Sequence, residues 1–191
     1  MAYTPKPQGF LRGNGDCRNT YFYKKSQVIY DLTFFFAHKY LVPKDRTIDQ
    51  MIQAARSGKQ NFVEGMADGV TSTEMQIKLM NVGKSSLLEL REDYDDYLRT
   101  RNLTIWDSSH PRYASMVNYC KYHNELSHYQ PFFQKWTAEE ISNVALTLIH
   151  QTDKMMESYL SRLEDFFVKN GGIREAMVKA RLNKKMGRSI K

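Results

Sequence analysis

Apolar residues recur every three or four positions along four long stretches of the chain, with polar residues between them. That is the period of an α-helix with one buried face. The clearest case lies between Ser72 and Thr100. There Met80, Gly83, Leu87, Leu90, Tyr94 and Tyr97 alternate steps of three and four. Sustained three-four spacing is the seam of helices that cross at a shallow angle. The predicted helix is roughly 40 Å long at about 1.5 Å per residue, so partners of similar length must cover its face. Thr71 with Glu74 reads as its capping box.

Ahead of it, Ile48, Met51, Ile52, Ala55, Phe62 and Val63 mark a second helix, with Thr47 as its expected cap and Asp49 in its positive first turn. Ala54, Ala55, Ser57 and Gly58 are small, which lets a neighbouring helix come close there. Only the break MADGVTST separates the two helices, so residues 45–101 form a helical hairpin against which the rest packs.

The remaining elements follow in chain order. Residues 1–18 are rich in Pro, Gly and polar residues and read as a mobile arm. A first helix over about 20–40 carries Lys25, Val28, Ile29, Leu32, Phe35, Phe36 and Tyr40 at helical spacing and ends before Pro43. Residues 102–136 are irregular. Pro111 opens a short helix to about His123, and the aromatic stretch ELSHYQPFFQKW, broken by Pro131, reads as a packed loop over one end. Thr137 with Glu140 is another capping box. The last long helix has Ile141, Val144, Leu148, Thr152, Met155, Tyr159, Leu163 and Phe166 on its seam. Asn170-Gly171-Gly172 stops it. Residues 173–191 form a separate basic helix, with Ile173, Met177 and Leu182 as its expected packing side.

The expected fold is all-α: an antiparallel up-down four-helix bundle over residues 19–172, with an irregular insertion (102–136) before its last helix and a short basic C-terminal helix. A chain of 191 residues is long enough for one domain with a real core.

Charge changes this picture more than composition does. The net charge is +7. Residues 173–191 carry +6 and residues 1–25 carry +4, which leaves the middle at −3. Positive charge therefore belongs to the two ends and the body is mildly acidic. No apolar run after Met1 resembles a secretory signal, and no segment suits a membrane span. With two cysteines far apart, Cys17 and Cys120, the expected compartment is the cytoplasm.

Candidate chemistry is sparse. Arg174, Lys179, Arg181, Lys184, Lys185 and Arg188 suit nucleic-acid phosphates, by contacts that release counterions and ignore sequence. The bland alternative is a solvated tail, or one docked on an acidic neighbour such as Glu89, Glu92, Asp93, Asp95 and Asp96, within or between subunits. That acidic run is read as a solvated face, because successive helical positions diverge.

His110, His123 and His128 lack the spacing of a helical metal pair. The strings SGK (57–59) and GKSS (83–86) lack the earlier glycine and the strand-loop setting of a phosphate loop. Asn61 and Glu64 are assigned a structural role, in a buried hydrogen-bond network or as caps for a neighbouring helix. Tyr21, Phe22, Tyr23, Tyr119, Tyr122, Tyr129, Phe132, Phe133 and Trp136 offer faces for bases but are read first as packing. No catalytic constellation, cofactor site or metal site is expected.

Residues Ala54–Gly58, Asn61, Glu64 and Gly65, then Thr71 and Ser72, then Ser85, Ser86, Leu88, Glu89 and Leu90 resemble the four-helix-bundle proteins of the 23S rRNA intervening-sequence family. The stretch FFVKNGGIREAMVKARLNKK resembles the tail of that family's "four helix bundle suffix" branch. The resemblance implies an antiparallel four-helix bundle, a ring-like homopentamer with a basic surface, and no catalytic residues. A related group implied by it is the accessory proteins of diversity-generating retroelements, which associate with a reverse transcriptase and nucleic acid. The expected function is thus a non-catalytic, self-associating scaffold that binds RNA or DNA, or a nucleic-acid enzyme. The alternative is a protein–protein adaptor with no nucleic-acid role.

Overall fold

The computed structural model describes residues 17–186, and every regular element among them is helical. The long helices are α1 (Tyr21–Tyr40), α2 (Arg46–Asp68), α3 (Thr73–Thr100) and α6 (Ala138–Asn170). Between α3 and α6 lie α4 (Tyr113–Tyr122), the one-turn α5 (Leu126–Tyr129) and a 3-10 turn (Gln130–Phe132). The basic helix α7 (Ile173–Lys185) closes the described chain. Of the arm expected over 1–18, residues 1–16 lie outside the described residues. Cys17 and Arg18 belong to a 3-10 turn, Cys17–Asn19, and Cys17 is buried, so the folded body starts earlier than its composition suggests.

The helix starts obey capping chemistry, with two corrections. Ser72, not Thr71, caps α3 through Met75 N–H, while the Thr71 hydroxyl turns back to the Asp68 carbonyl. Asp45, not Thr47, caps α2; its carboxylate accepts from Thr47 N–H, and this bond holds the acid below its ordinary pKa. In both places the neighbouring residue also has capping chemistry, and backbone geometry chooses between them. The Thr137–Glu140 box forms in full. Thr137→Ala is expected to lower stability by about 1 kcal/mol, read as a shift in the urea midpoint at unchanged slope.

Four pairs of long helices pack together: α1 on α2, α2 on α3, α3 on α6, and α6 on α1. Their facing seams make one core, in which Ile29, Leu32, Phe36, Met51, Phe62, Met80, Leu90, Tyr94, Ile141 and Leu148 are all out of contact with water. All six α3 positions expected in the seam are buried. The α6 seam departs from expectation in its second half. Met156 and Leu160 are buried, whereas Met155 and Tyr159 lie at the edge and Phe166 is exposed. At about 100° per residue the expected positions keep to one face of a straight helix, so the change is a turn of the buried side towards Met156 and Leu160, with Leu163 still buried as expected.

At the α2–α3 crossing, Gly58 and Gly83 face each other. A β-carbon on Gly83 would lie 2.7 Å from the Phe62 ring and 3.0 Å from the Gly58 carbonyl oxygen. Ser57 and Ser86 hydroxyls meet at 2.9 Å beside this crossing, and the Asn61 amide donates to the Ser57 carbonyl, giving Asn61 the structural role expected of it. Glu64 is exposed. The connector 102–136 is fastened rather than loose. Asn143 of α6 accepts from Trp106 N–H and donates to the Thr104 carbonyl, and Glu139 accepts from the Trp106 indole. Lys25 of α1 reaches the Cys120 carbonyl of α4.

Candidate nucleic-acid interface

Gly171 positions the basic helix. It takes φ +70°, a left-handed value that favours glycine, and ends α6. Glu175 then accepts from Gly172 N–H and stabilises the first turn of α7. The first turn of α7, with Ile173 and Ala176, lines a cleft with Val70–Thr73 of the α2–α3 turn and with Phe166.

The packing side of α7 is corrected. Ile173, Ala176, Ala180 and Asn183 are half-buried, while Met177 and Leu182 are exposed. Ile173 keeps its expected place, and Ala176 and Ala180 rather than Met177 and Leu182 extend the side that faces the body.

Arg174, Lys179, Arg181, Lys184 and Lys185 are all exposed. None of the five has an ion pair or hydrogen bond to another side chain among the described residues. At about 100° per residue, Arg174, Arg181 and Lys185 fall within about 40° of one another. Lys184 flanks them and Lys179 lies on another side. Five predicted site residues thus sit on one short helix, but only three share a face. Arg188 lies outside the described residues.

The acidic run behaves differently from its reading as a solvated face. Glu92 pairs with Arg91 and Asp96 with Arg99. Asp93, however, is half-buried in a cleft of about 590 Å³ lined also by Asp49, Glu89, Gln53, Ser57 and Ser86. Burial first, then Asp96 and Glu89, push its carboxyl above the ordinary range. Asp93 lies twenty residues, about 30 Å, along α3 from Thr73, beside which α7 begins. No ion pair joins α7 to this cluster among the described residues.

The lysines of the two rejected phosphate-loop strings have structural work. Lys84 bridges α3 to Asp153 and Glu157 of α6 at 3.3 Å each, and Lys59 lies 4.2 Å over the Tyr30 ring. Among the described residues no His, Cys, Asp or Glu group is placed to hold a metal ion. None of the described helices is long and apolar enough to cross a membrane.

Sequence reasoning misses one basic feature. Lys121 of α4, and Lys154 and Arg162 of α6, surround a groove of about 680 Å³ that is also lined by Asn19–Phe22. No short window of the sequence contains all three cations. The one local signal is the run His150, Lys154, Ser158, Arg162 at steps of four along α6. Comparison of the chain with models of protein families, with curated proteins and with solved structures gave no match in any of the three.

Proposed function

We propose that this protein is a non-catalytic, self-associating helical scaffold that binds nucleic acid, or an enzyme acting on it, through its basic ends. The observation that carries the reading is α7: an exposed helix with five cations that have no acidic partner among the described residues, held away from the acidic stretch of α3. Such a surface attracts polyanions by neutralising phosphates and releasing their counterions. The scaffold would be an up-down four-helix bundle. Phe22 meets Phe62, Gln76 meets Tyr159, and Gly65 meets Leu79, which suits antiparallel neighbours. The resemblance to the 23S rRNA intervening-sequence proteins points the same way and suggests a homopentamer and a partner such as a reverse transcriptase. Two cysteines outside any disulfide fit a cytoplasmic protein.

The test is binding of RNA and DNA across a salt series by the full chain and by Arg174→Ala/Arg181→Ala/Lys185→Ala. These side chains are exposed, so the variant keeps its fold. The slope of log affinity against log salt is expected to fall in magnitude by about 2 to 3, close to 0.7–0.9 for each phosphate no longer neutralised. Absence of binding at low salt, or an unchanged slope, sinks the proposal.

One observation favours the adaptor reading instead: the cleft around Asp49, Glu89 and Asp93, whose carboxylates have no cationic partner among the described residues. If α7 of one copy enters that cleft on the next, the contact is head-to-tail and closes rings. Light scattering would then show Asp93→Lys and the triple α7 variant each reduced to monomer, with nucleic acid unbound by the wild type.

A further inference from the structure

We infer that the groove between the start of α1, α4 and the middle of α6 takes a nucleotide of single-stranded nucleic acid. The base would lie against the aromatic and apolar floor, and its phosphate among the rim cations. The inference rests on the nucleic-acid reading above and adds a second surface and a strand form to it.

The groove, about 680 Å³, is of small-ligand size and lies widely open to solvent. Phe22 and Met155 line it as apolar floor, and Tyr21 stands at its edge with 64% of its surface exposed. No ring stacks on Tyr21 among the described residues. Its face is therefore open to a base.

Lys121, Lys154 and Arg162 line the same groove, and among the described residues no carboxylate does. Lys154 pairs with Glu157 at 2.9 Å, so its charge is partly answered. Among the described residues Lys121 has only the Tyr122 ring, 5.4 Å from its ammonium. Arg162 donates from Nε to the Ser158 carbonyl, which holds its head against α6. A cationic rim around an aromatic floor is the combination that binds single strands, where stacking supplies affinity and cations follow the backbone.

Strand form follows from shape. A base inside a duplex is stacked on both faces and presents only its edges, so it cannot enter a concavity. An unpaired base can swing out and stack on protein. The helix α7 differs here, because cations on a convex helix meet backbone phosphates of either form. Arg162 lies eight residues, about 12 Å, before the end of α6, after which α7 begins.

Fluorescence anisotropy with a labelled 12-nucleotide oligo-dT and a 12-base-pair duplex tests this, using the full chain. Oligo-dT is expected to bind more tightly than the duplex. Tyr21→Ala is expected to weaken oligo-dT about tenfold, within the range for removing one base–aromatic stack, and to leave duplex binding alone. Lys121→Ala/Arg162→Ala is expected to act in the same direction. All three residues sit at the surface or groove rim, and an unchanged thermal melt confirms that the variants fold.

Duplex bound as tightly as oligo-dT, or oligo-dT binding that survives either change, overturns the groove and leaves α7 untouched. Failure to bind either DNA probe or a 12-nucleotide oligo-U at low salt overturns this inference and the proposed nucleic-acid binding together. Competition by free AMP or TMP below millimolar concentration overturns the strand and identifies a free nucleotide as the occupant. Its absence, with oligo-dT bound as expected, identifies a strand.

Discussion

Gly83→Val is expected to destabilise the protein by about 3 kcal/mol, the upper part of the range for overpacking. The reason lies at the α2–α3 crossing. A β-carbon on Gly83 would already press on the Phe62 ring at 2.7 Å and on the Gly58 carbonyl at 3.0 Å. Phe62 is fully buried and stacks edge-on against Phe22, so its ring has nowhere to swing. The Gly58 oxygen belongs to a helix backbone and cannot move alone. Valine adds two methyl groups to that clash, and the two helices must separate along their length. The gain from removing a helical glycine is at most about 1 kcal/mol and does not offset it. Urea denaturation monitored by circular dichroism reads the effect. Val82→Ala, one residue away on an exposed position, is expected to change stability by less than about 0.5 kcal/mol. If Gly83→Val melts like the wild type, the close glycine crossing is wrong.

Lys25→Met is expected to raise stability at pH 7 by about 1 to 2 kcal/mol, the buried charge's cost less that of the acceptor it leaves behind. Lys25 is buried in the seam of α1, and its one hydrogen-bond acceptor among the described residues is the Cys120 carbonyl. Burial lowers its pKa from the ordinary 10.5 to about 8, against an opposing effect of the neighbouring Cys120. The folded state therefore holds this proton less tightly than the unfolded chain does. Below pH 8 the buried charge opposes folding by up to about 3 kcal/mol, at about 1.4 kcal/mol per pKa unit. That opposition fades as pH rises from 8 towards 10.5. Methionine removes it, but strands the Cys120 carbonyl, which returns about 1–2 kcal/mol of the gain.

Cys120 has the opposite sign. Burial raises its thiol from the ordinary 9.0 to about 11, so its contribution to stability is lost as pH rises between those values. The clean window is therefore pH 8 to 9, above the Lys25 value and below the thiol's. Wild-type stability should climb there relative to Lys25→Met, measured as the difference between their urea unfolding energies. A difference that stays flat from about pH 7 to about pH 10 would mean that Lys25 is not buried as a charged group.

Much of the fold is legible in the residues because its signals are local. Seam positions on α3, the Thr137–Glu140 box and the glycine stop at 171–172 each depend on spacing within one or two turns. Backbone hydrogen bonding answers to that spacing whatever the rest of the chain does. The small residues at 54–58 also announce a close helix crossing. Their partner, Gly83, reads only as a seam position, because nothing in sequence says which glycine faces which. The cap corrections at Thr47 and Thr71 have a similar origin. Two residues with suitable oxygens stand within two positions of each other, and the path of the incoming chain decides between them.

The candidate sites divide along the same line. The tail cations stand together in sequence because they lie on one short helix. Their clustering, net charge and separation from the acidic stretch can therefore be read directly. Their exposure depends on which face α7 turns to the body, and Ala176 and Ala180 take that place from Met177 and Leu182. The groove cations come from α4 and α6, tens of residues apart, and meet only through packing. By itself, then, the sequence determined that the chain is helical, where each long helix stops, and that positive charge gathers at the ends. These properties follow from neighbours along the chain. Only the tertiary structure decided that a lysine is buried at position 25, that two glycines touch, and that three cations share one groove. Those outcomes depend on contacts between distant segments, and helical periodicity carries no information about partners.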